Sequence, residues 1–122
     1  MITGYAGVST DDQKLKAQIN ALEAAGAGRI FQGKIIRPRS AKTRPQLDQM
    51  IDQLRPGDVI VVTKYDRLAR SLRDLLDIVE VIKEGGGEFR SLAEDIDTTT
   101  PAGRLIFYVF ASIAQFERER IS

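Results

Sequence analysis

The sequence contains neither cysteine nor histidine. A chain without these residues has no thiolate nucleophile, no disulfide framework, no Cys/His zinc site and no Ser-His-Asp triad. Hydroxyls, carboxylates, Lys, Arg and Tyr are the side chains left for chemistry. The candidate mechanisms are therefore few.

Long apolar runs are also missing, since none approaches the roughly 20 residues that a membrane span needs. The segment from Met1 to Thr10 has neither a basic leader nor a small-residue cleavage site of the kind that marks export. We therefore expect a soluble chain with no membrane partner, in the cytoplasm by default. Its 122 residues suit a single domain.

An excess of charge is absent as well, because the formal net charge is only +1. A chain whose whole surface grips phosphates is strongly basic, so contact with DNA must be local or supplied elsewhere. One local excess exists, a loop whose cations have no acidic residue among them: Lys34, Arg37, Arg39, Lys42 and Arg44. Such a run is either a solvated loop or a contact with a nucleic-acid backbone.

Strand and helix patterns alternate along the chain. Apolar strand patterns cover Met1 to Gly7, Arg29 to Gln32, Asp58 to Thr63 and Glu88 to Leu92. Helical spacing follows Asp12, begins again near Pro45, and covers Ser71 to Glu84 and the residues after Thr100. This alternation predicts a three-layer α/β domain with a mainly parallel central sheet.

The last helical segment, 101–122, is apolar almost all round. One interpretation is a central helix wholly inside its own domain. The other is the start of a long interface helix covered by a partner chain, because terminal helices of small domains usually keep a wet face. We favour the partner, and name Phe107, Phe110 and Phe116 as its contacts.

Three short segments carry candidate chemistry. Ser9 follows a strand and precedes a helix, Asp66, Arg67 and Arg70 follow the central strand, and Arg44 opens a helix. Taken singly, the first is a helix cap and the others are solvated charges. Together, three guanidiniums beside a hydroxyl can cradle a phosphodiester and neutralise charge growing on its oxygens.

The same segments carry a family resemblance. Tyr5-Ala6-Gly7-Val8-Ser9-Thr10-Asp11-Asp12-Gln13 looks like the Tyr-x-Arg-Val-Ser-Thr-x-x-Gln signature of the serine recombinases, with Gly7 in place of the arginine. The stretch from Tyr65 to Ser71 resembles the family's Leu-Asp-Arg-Leu-x-Arg-Ser motif, and Arg44-Pro45-x-Leu47 its Arg-Pro-x-Leu. Later segments are similar to the invertase branch in particular: Phe89 to Leu92, Ile96 to Thr98, and Gly103 to Glu119.

The resemblance implies site-specific DNA recombination through a covalent 5′-phosphoserine link, without a metal or nucleotide cofactor. It makes Ser9 the nucleophile, while Arg44, Arg67 and Arg70 bind the phosphate and Asp66 and Gln13 organise the site. The basic residues Arg37, Arg39 and Lys42 are further candidates for DNA contact. The implied partners are double-stranded DNA and copies of this chain, a homodimer that assembles into a tetramer.

Two departures qualify this expectation. Glycine at position 7 supplies no phosphate-directed guanidinium, so we expect impaired catalysis. The resemblance covers 1–122 as a catalytic domain, without the helix-turn-helix module that reads a DNA site. Two rival functions follow: a non-catalytic recombinase-like oligomerisation module, and a small α/β domain that binds a phosphate ligand with the same arginines.

Overall fold

The computed structural model describes residues 1–8, 12–34 and 45–121, and all their side chains except those of 8, 12, 13, 34 and 117–121. Its strands are β1 (Ile2–Val8), β2 (Arg29–Lys34), β3 (Val59–Val62), β4 (Glu88–Ser91) and β5 (Ile96–Asp97). Its α-helices are α1 (Asp12–Ala24), α2 (Pro45–Asp52), α3 (Leu72–Glu84) and α4 (Pro101–Ile121). A 3₁₀ turn, Tyr65–Arg67, follows β3.

The strands form one sheet in the order β2-β1-β3-β4-β5. The first four strands are parallel, and β5 pairs antiparallel with β4 through Ser91 and Ile96. The central strand β3 has three buried residues in its run of four, as expected of a parallel strand covered on both faces. The predicted α/β architecture with a mainly parallel sheet is confirmed.

Each face of the sheet carries its own apolar cluster. The larger cluster joins Tyr5 and Ile60 of the sheet to Met50 of α2 and Leu75 of α3. The smaller cluster joins Ala6 and Val61 to Leu22 of α1 on the other face. Because neighbouring residues of a strand point to opposite faces, α1 lies on one side of the sheet and α2 and α3 on the other.

Two details of the fold differ from the sequence expectation. The short strand β5 was not predicted, because two residues are too few to show a strand period. The helix α2 ends at Asp52, although Leu54 keeps the apolar spacing. No helix in the described part of the chain is both long and apolar enough to span a bilayer.

Candidate active site at the carboxyl end of the sheet

The end of β1 is held by a buried side chain of α1. Gln18 is 6% exposed, and its Oε1 accepts a hydrogen bond from the Gly7 N–H at 3.0 Å while its Nε2 donates to the Gly7 carbonyl at 2.8 Å. The last pairing of β1 with β3 is Gly4 opposite Val61. Gln18 therefore supplies hydrogen bonds to the strand end beyond that pairing, two residues before Ser9.

The residues after β3 return to the same strand end. We call residues 65–70, which include the 3₁₀ turn, the arginine turn. A β carbon built on Gly7 would lie 2.5 Å from the carbonyl oxygen of Arg67 and 3.0 Å from its α carbon. Only a residue without a side chain permits this approach, so the absence of a β carbon at position 7 brings the two segments into contact.

The arginine turn is anchored by its apolar residues. Leu68 is fully buried and Ala69 nearly so, and both donate their N–H groups to the Tyr65 carbonyl, at 3.0 and 2.9 Å. Asp66 is exposed and Arg67 is partly buried. The turn therefore fixes its backbone in the core while its charged residues stand at the surface.

Arg70 is held by the beginning of α3. Its Nε lies 3.7 Å from Oδ2 of Asp74, and the same carboxylate oxygen accepts the Arg70 backbone N–H at 2.9 Å. Ser71 caps α3 by accepting the Asp74 N–H on its Oγ at 3.0 Å. Asp74 thus orients an arginine and also completes a helix start, where a carboxylate is favoured by the helix dipole.

The motif tyrosine extends from β1 over the neighbouring strand β2. Tyr5 is buried, and a β carbon on Gly33 would fall 1.8 Å from its hydroxyl oxygen. Gly33 stands opposite Gly7 in the parallel register of these strands. Gly33 therefore leaves room on β2 for the Tyr5 hydroxyl, and Gly7 leaves room on β1 for the backbone of Arg67.

The structure brings together only part of the predicted site. It places the arginine turn, with Asp66, Arg67 and Arg70, at the carboxyl end of the sheet beside Gly7. Gln13 lies in α1, but its side chain is outside the described residues. Five further predictions lie wholly outside the described residues: Ser9, Arg37, Arg39, Lys42 and Arg44.

Two residues of this region were missed from the sequence, although each left a signal. Gln18 is polar, yet it stands three residues after Leu15 and four before Leu22 on the apolar face of α1. Asp74 stands three residues after Ser71, the spacing of a capping box. The two sequence signals are a polar residue on the apolar face of a helix and an aspartate three residues after a helix-capping serine.

The predicted interface residues do not share one environment. Phe107 and Phe110 pack with partial burial against the chain's own larger cluster, whereas Phe116 is 58% exposed. The large apolar side chains that α4 does expose recur every three or four residues, with one adjacent pair at 108 and 109, and we call them the α4 stripe: Leu105, Tyr108, Val109, Ile113 and Phe116. This spacing places them along one side of the helix.

The arrangement suits the binding of an anion next to a strand end. Arg67 and Arg70 provide guanidinium donors at the carboxyl end of a parallel sheet, where open α/β sheets bind their ligands. Among the described residues, no three His, Cys, Asp or Glu side chains are grouped to hold a metal ion. Arg67 and Arg70 are the two cationic side chains of the arginine turn.

Comparison with known proteins identifies relatives along the whole chain. The family model for the resolvase N-terminal domain matches residues 2–122. The chain is 46% identical over 121 residues to the transposon Tn917 resolvase of Enterococcus faecalis and 44% identical to the serine recombinase gin of Escherichia phage Mu. These matches cover 99% of this chain but 65% and 62% of those proteins, so the chain spans less than two thirds of their length.

A solved structure shows the same fold. The N-terminal catalytic domain of TP901-1 integrase superposes with a TM-score of 0.78 at 33% identity, covering 97% of this chain and 96% of that one. A resolvase family site-specific recombinase from Streptococcus pneumoniae superposes with a TM-score of 0.71 at 22% identity, a likeness of fold alone.

Proposed function

Because this chain belongs to the resolvase family of serine recombinases, we propose that it is the catalytic domain of an enzyme that cuts and rejoins DNA at specific sites. One observation carries the proposal: the arginine turn lies against β1 at Gly7, two residues before Ser9. Gly7 and the arginine turn are separated by more than fifty residues in the chain and meet at the carboxyl end of the sheet.

The proposed chemistry is transesterification at phosphorus. The Ser9 oxygen attacks a DNA phosphodiester, loses its proton as the bond to phosphorus forms, and displaces the 3′ oxygen, which takes up a proton. The product is a 5′-phosphoserine link and a free 3′-hydroxyl. Because the link keeps the energy of the broken ester, the reverse attack by a 3′-hydroxyl rejoins DNA without an added energy source.

The arginines stabilise the charge that grows on the phosphate oxygens. Arg67 and Arg70 supply donors from the arginine turn, and we assign the same role to Arg44. Asp66 and Gln13 are proposed to organise these groups. Removing a single transition-state donor typically costs about 10²-fold to 10³-fold in rate, so we propose that glycine at position 7 leaves the enzyme impaired.

The partners that we propose are double-stranded DNA and a second copy of this chain, with dimers assembling into a tetramer when strands are exchanged. The basic residues Arg37, Arg39 and Lys42 are proposed to contact the DNA backbone. We propose the cytoplasm as the place of action. The second copy is proposed to cover the α4 stripe, whose five apolar side chains are 41% to 64% exposed in the single chain.

The nucleophile is tested by trapping the covalent adduct on a nicked suicide DNA. The comparison is made in the parent and also in Gly7→Arg, because glycine at position 7 slows the parent. The protein with Ser9 is expected to form an adduct that survives denaturation, and the same protein with Ser9→Ala to form none, because neither water nor Thr10 occupies the same line of attack. If Ser9→Ala forms the adduct at the parent rate, Ser9 is not the nucleophile.

The partner surface is tested by sedimentation of Phe116→Ser. Burying a large apolar side chain is worth about 1.5–3 kcal/mol, and a symmetric dimer contains the contact twice. We expect dissociation to become easier by at least roughly a hundredfold. Gln115→Ser, at an exposed neighbour outside the stripe, is the control. A parent that stays monomeric at high concentration contradicts the dimer.

One observation favours a second candidate, a non-catalytic oligomerisation module. Gly7 lacks the guanidinium of the family motif, while the α4 stripe is intact. This module predicts a dimer that forms no adduct on suicide DNA. The adduct assay on the parent and on Gly7→Arg, together with the sedimentation experiment, separates the two functions, because only the recombinase is expected to gain adduct from the arginine.

A further inference from the structure

The arginine turn begins without a cap of its own. Lys64 is extended at the N-cap position, with φ −145° and ψ 151°, and its side chain makes no capping hydrogen bond to the described residues. The first N–H groups of any helical turn have no partner within that turn. Tyr65, the first residue of the 3₁₀ turn, therefore needs an acceptor from elsewhere in the molecule.

Glu94 supplies that acceptor from the turn that follows β4. Its Oε1 accepts the Tyr65 N–H at 3.3 Å. The same oxygen accepts a hydrogen bond from the hydroxyl of Ser91, the fully buried last residue of β4. The carboxylate is thus fixed at one oxygen by a core residue and caps the arginine turn with that oxygen.

The backbone around Glu94 is fixed relative to β3. The N–H groups of Leu92 and Ala93 donate to the carbonyls of Val62 and Thr63 at 3.0 and 2.9 Å, which extends the pairing of the two strands beyond β4. Asp95 then reverses the chain with a φ of 58°, a left-handed conformation that aspartate tolerates better than most residues. Glu94 is therefore presented from a defined turn.

We propose that Glu94 is a positioning residue for the arginine turn, an inference that rests on the proposed function. It acts through the Tyr65 peptide on Asp66 and Arg67. In this role the carboxylate acts on the backbone of the turn and not on the DNA or the reacting atoms. The turn is held on one side by the contact of Arg67 with Gly7 and on the other by Glu94, so losing either contact releases the guanidiniums from the strand that leads to Ser9.

Amide hydrogen exchange of the chain tests the contact without reference to activity. In Glu94→Ala, exchange of the Tyr65 amide is expected to accelerate by roughly 3-fold to 10-fold, the effect of one lost hydrogen bond. Glu94→Gln keeps an acceptor oxygen and is expected to exchange within about 2-fold of the parent. Glu23→Ala removes an exposed carboxylate from α1 and is expected to change nothing at Tyr65.

The same variants are then compared in the suicide-DNA assay. Adduct formation is expected to fall roughly tenfold in Glu94→Ala and to return to within about 3-fold of the parent in Glu94→Gln. A structural role alone would accelerate exchange equally at a core amide such as Val61 and would not be rescued by glutamine.

Each arm has an outcome that overturns the proposal. If the exchange rate of the Tyr65 amide is unchanged in Glu94→Ala, the contact is refuted. If exchange accelerates uniformly, at Val61 as well, local positioning is refuted. If the Tyr65 amide exchanges faster but the adduct rate is unchanged, the catalytic consequence is refuted. If neither the parent nor Gly7→Arg forms an adduct, the proposed function fails, and the exchange measurements still decide whether Glu94 holds the turn.

Discussion

At both ends of the parallel sheet, a buried polar side chain holds backbone that borders a strand. At the carboxyl end, Gln18 pairs with the N–H and the carbonyl of Gly7. At the amino end, the two carboxylate oxygens of Asp58 accept the Arg55 N–H at 3.0 Å and contact the Met1 amino group at 3.2 Å. The two contacts are of the same kind, but the residues around them differ.

The residues around the two side chains distinguish a candidate site at the carboxyl end from a structural contact at the amino end. Around Asp58 the backbone pairs with itself: Gly57 donates to the Gly86 carbonyl at 3.0 Å, and Glu88 donates to the Asp58 carbonyl at 2.8 Å. Around Gly7, charged residues of the arginine turn stand at the surface. Changes at the carboxyl end should therefore alter DNA cleavage, whereas changes at the amino end should alter stability alone.

The largest expected effect comes from Gly7→Arg compared with Gly7→Ala. Both variants must displace the arginine turn, because even a β carbon at position 7 meets the Arg67 carbonyl. Comparison of Gly7→Arg with the glycine parent would therefore combine the cost of this displacement with the gain of a guanidinium donor. Relative to Gly7→Ala, we expect Gly7→Arg to raise the rate of adduct formation by at least about a hundredfold. Equal rates would show that position 7 needs no guanidinium.

Gly7→Ala adds a β carbon without a guanidinium, so its stability measures the cost of the steric contact with Arg67 alone. Overpacking of this kind typically costs about 1–3 kcal/mol of unfolding free energy. Its counterpart at the amino end is Gly28→Ala, where the new β carbon would lie 4.0 Å from the Ile2 carbonyl oxygen and should cost little. Denaturant titration of the two variants checks the difference.

The second effect comes from Gln18→Leu. This change leaves two buried backbone groups of Gly7 without their partners, and we expect unfolding free energy to fall by about 2–4 kcal/mol. Gln18→Glu keeps the acceptor for the N–H, but it buries a carboxylate against the Gly7 carbonyl, so we expect it to cost no less than leucine. Asn20→Leu, at an exposed position of α1, should change stability by no more than about 0.5 kcal/mol.

The smallest effect concerns pH at the amino end. The backbone N–H of Arg55 and, to a lesser extent, the Met1 amino group hold the pKa of Asp58 below its ordinary value. A lowered pKa stabilises the fold at pH values above the ordinary one, about 3.9, and this contribution is lost as pH falls through the folded-state value. We expect Asp58→Asn to cost about 1 kcal/mol between pH 5 and 7.

Two observations check this assignment. The stability difference between the parent and Asp58→Asn should shrink as acid is added below about pH 4. Adduct formation at neutral pH should be the same in both proteins. If the stability difference grows in acid, or if Asp58→Asn loses adduct formation, the amino end does more than stabilise the fold.

The sequence was sufficient for the elements that follow a regular period. Apolar runs located β1, β3 and β4, and helical spacing with its caps located α1 and α3 close to their observed ends. The carboxyl end of β3 was also recognisable as the place of the arginine turn, because parallel strands present their ligands there. These features depend on residues that are neighbours in the chain.

The contacts that define the site join distant residues and could not be predicted. Gly7 meets Arg67 across sixty positions, and Glu94 reaches Tyr65 across twenty-nine. Apolar periodicity records which face of an element is buried but not which backbone groups remain to be paired. The close approach at Gly7 is visible only when the space for a β carbon is tested.

The apolar surface of α4 shows a related limit of periodicity. Because apolar residues surround this helix, the pattern does not separate the side facing its own domain from the side facing a partner. The structure identifies the side that faces its own domain, where Ile106, Phe107 and Phe110 pack on the core, and leaves the α4 stripe exposed.

The two-residue strand β5 affects how copies of this chain can meet. An edge strand offers unpaired N–H and carbonyl groups to any passing strand, and short, charged edges are a common defence against such growth. Ile96–Asp97 offers very little backbone, and Asp97 carries a carboxylate that lies 3.8 Å from Nε of Arg90. At this edge of the sheet a second chain therefore finds little backbone to pair with, so open-ended growth from β5 is disfavoured.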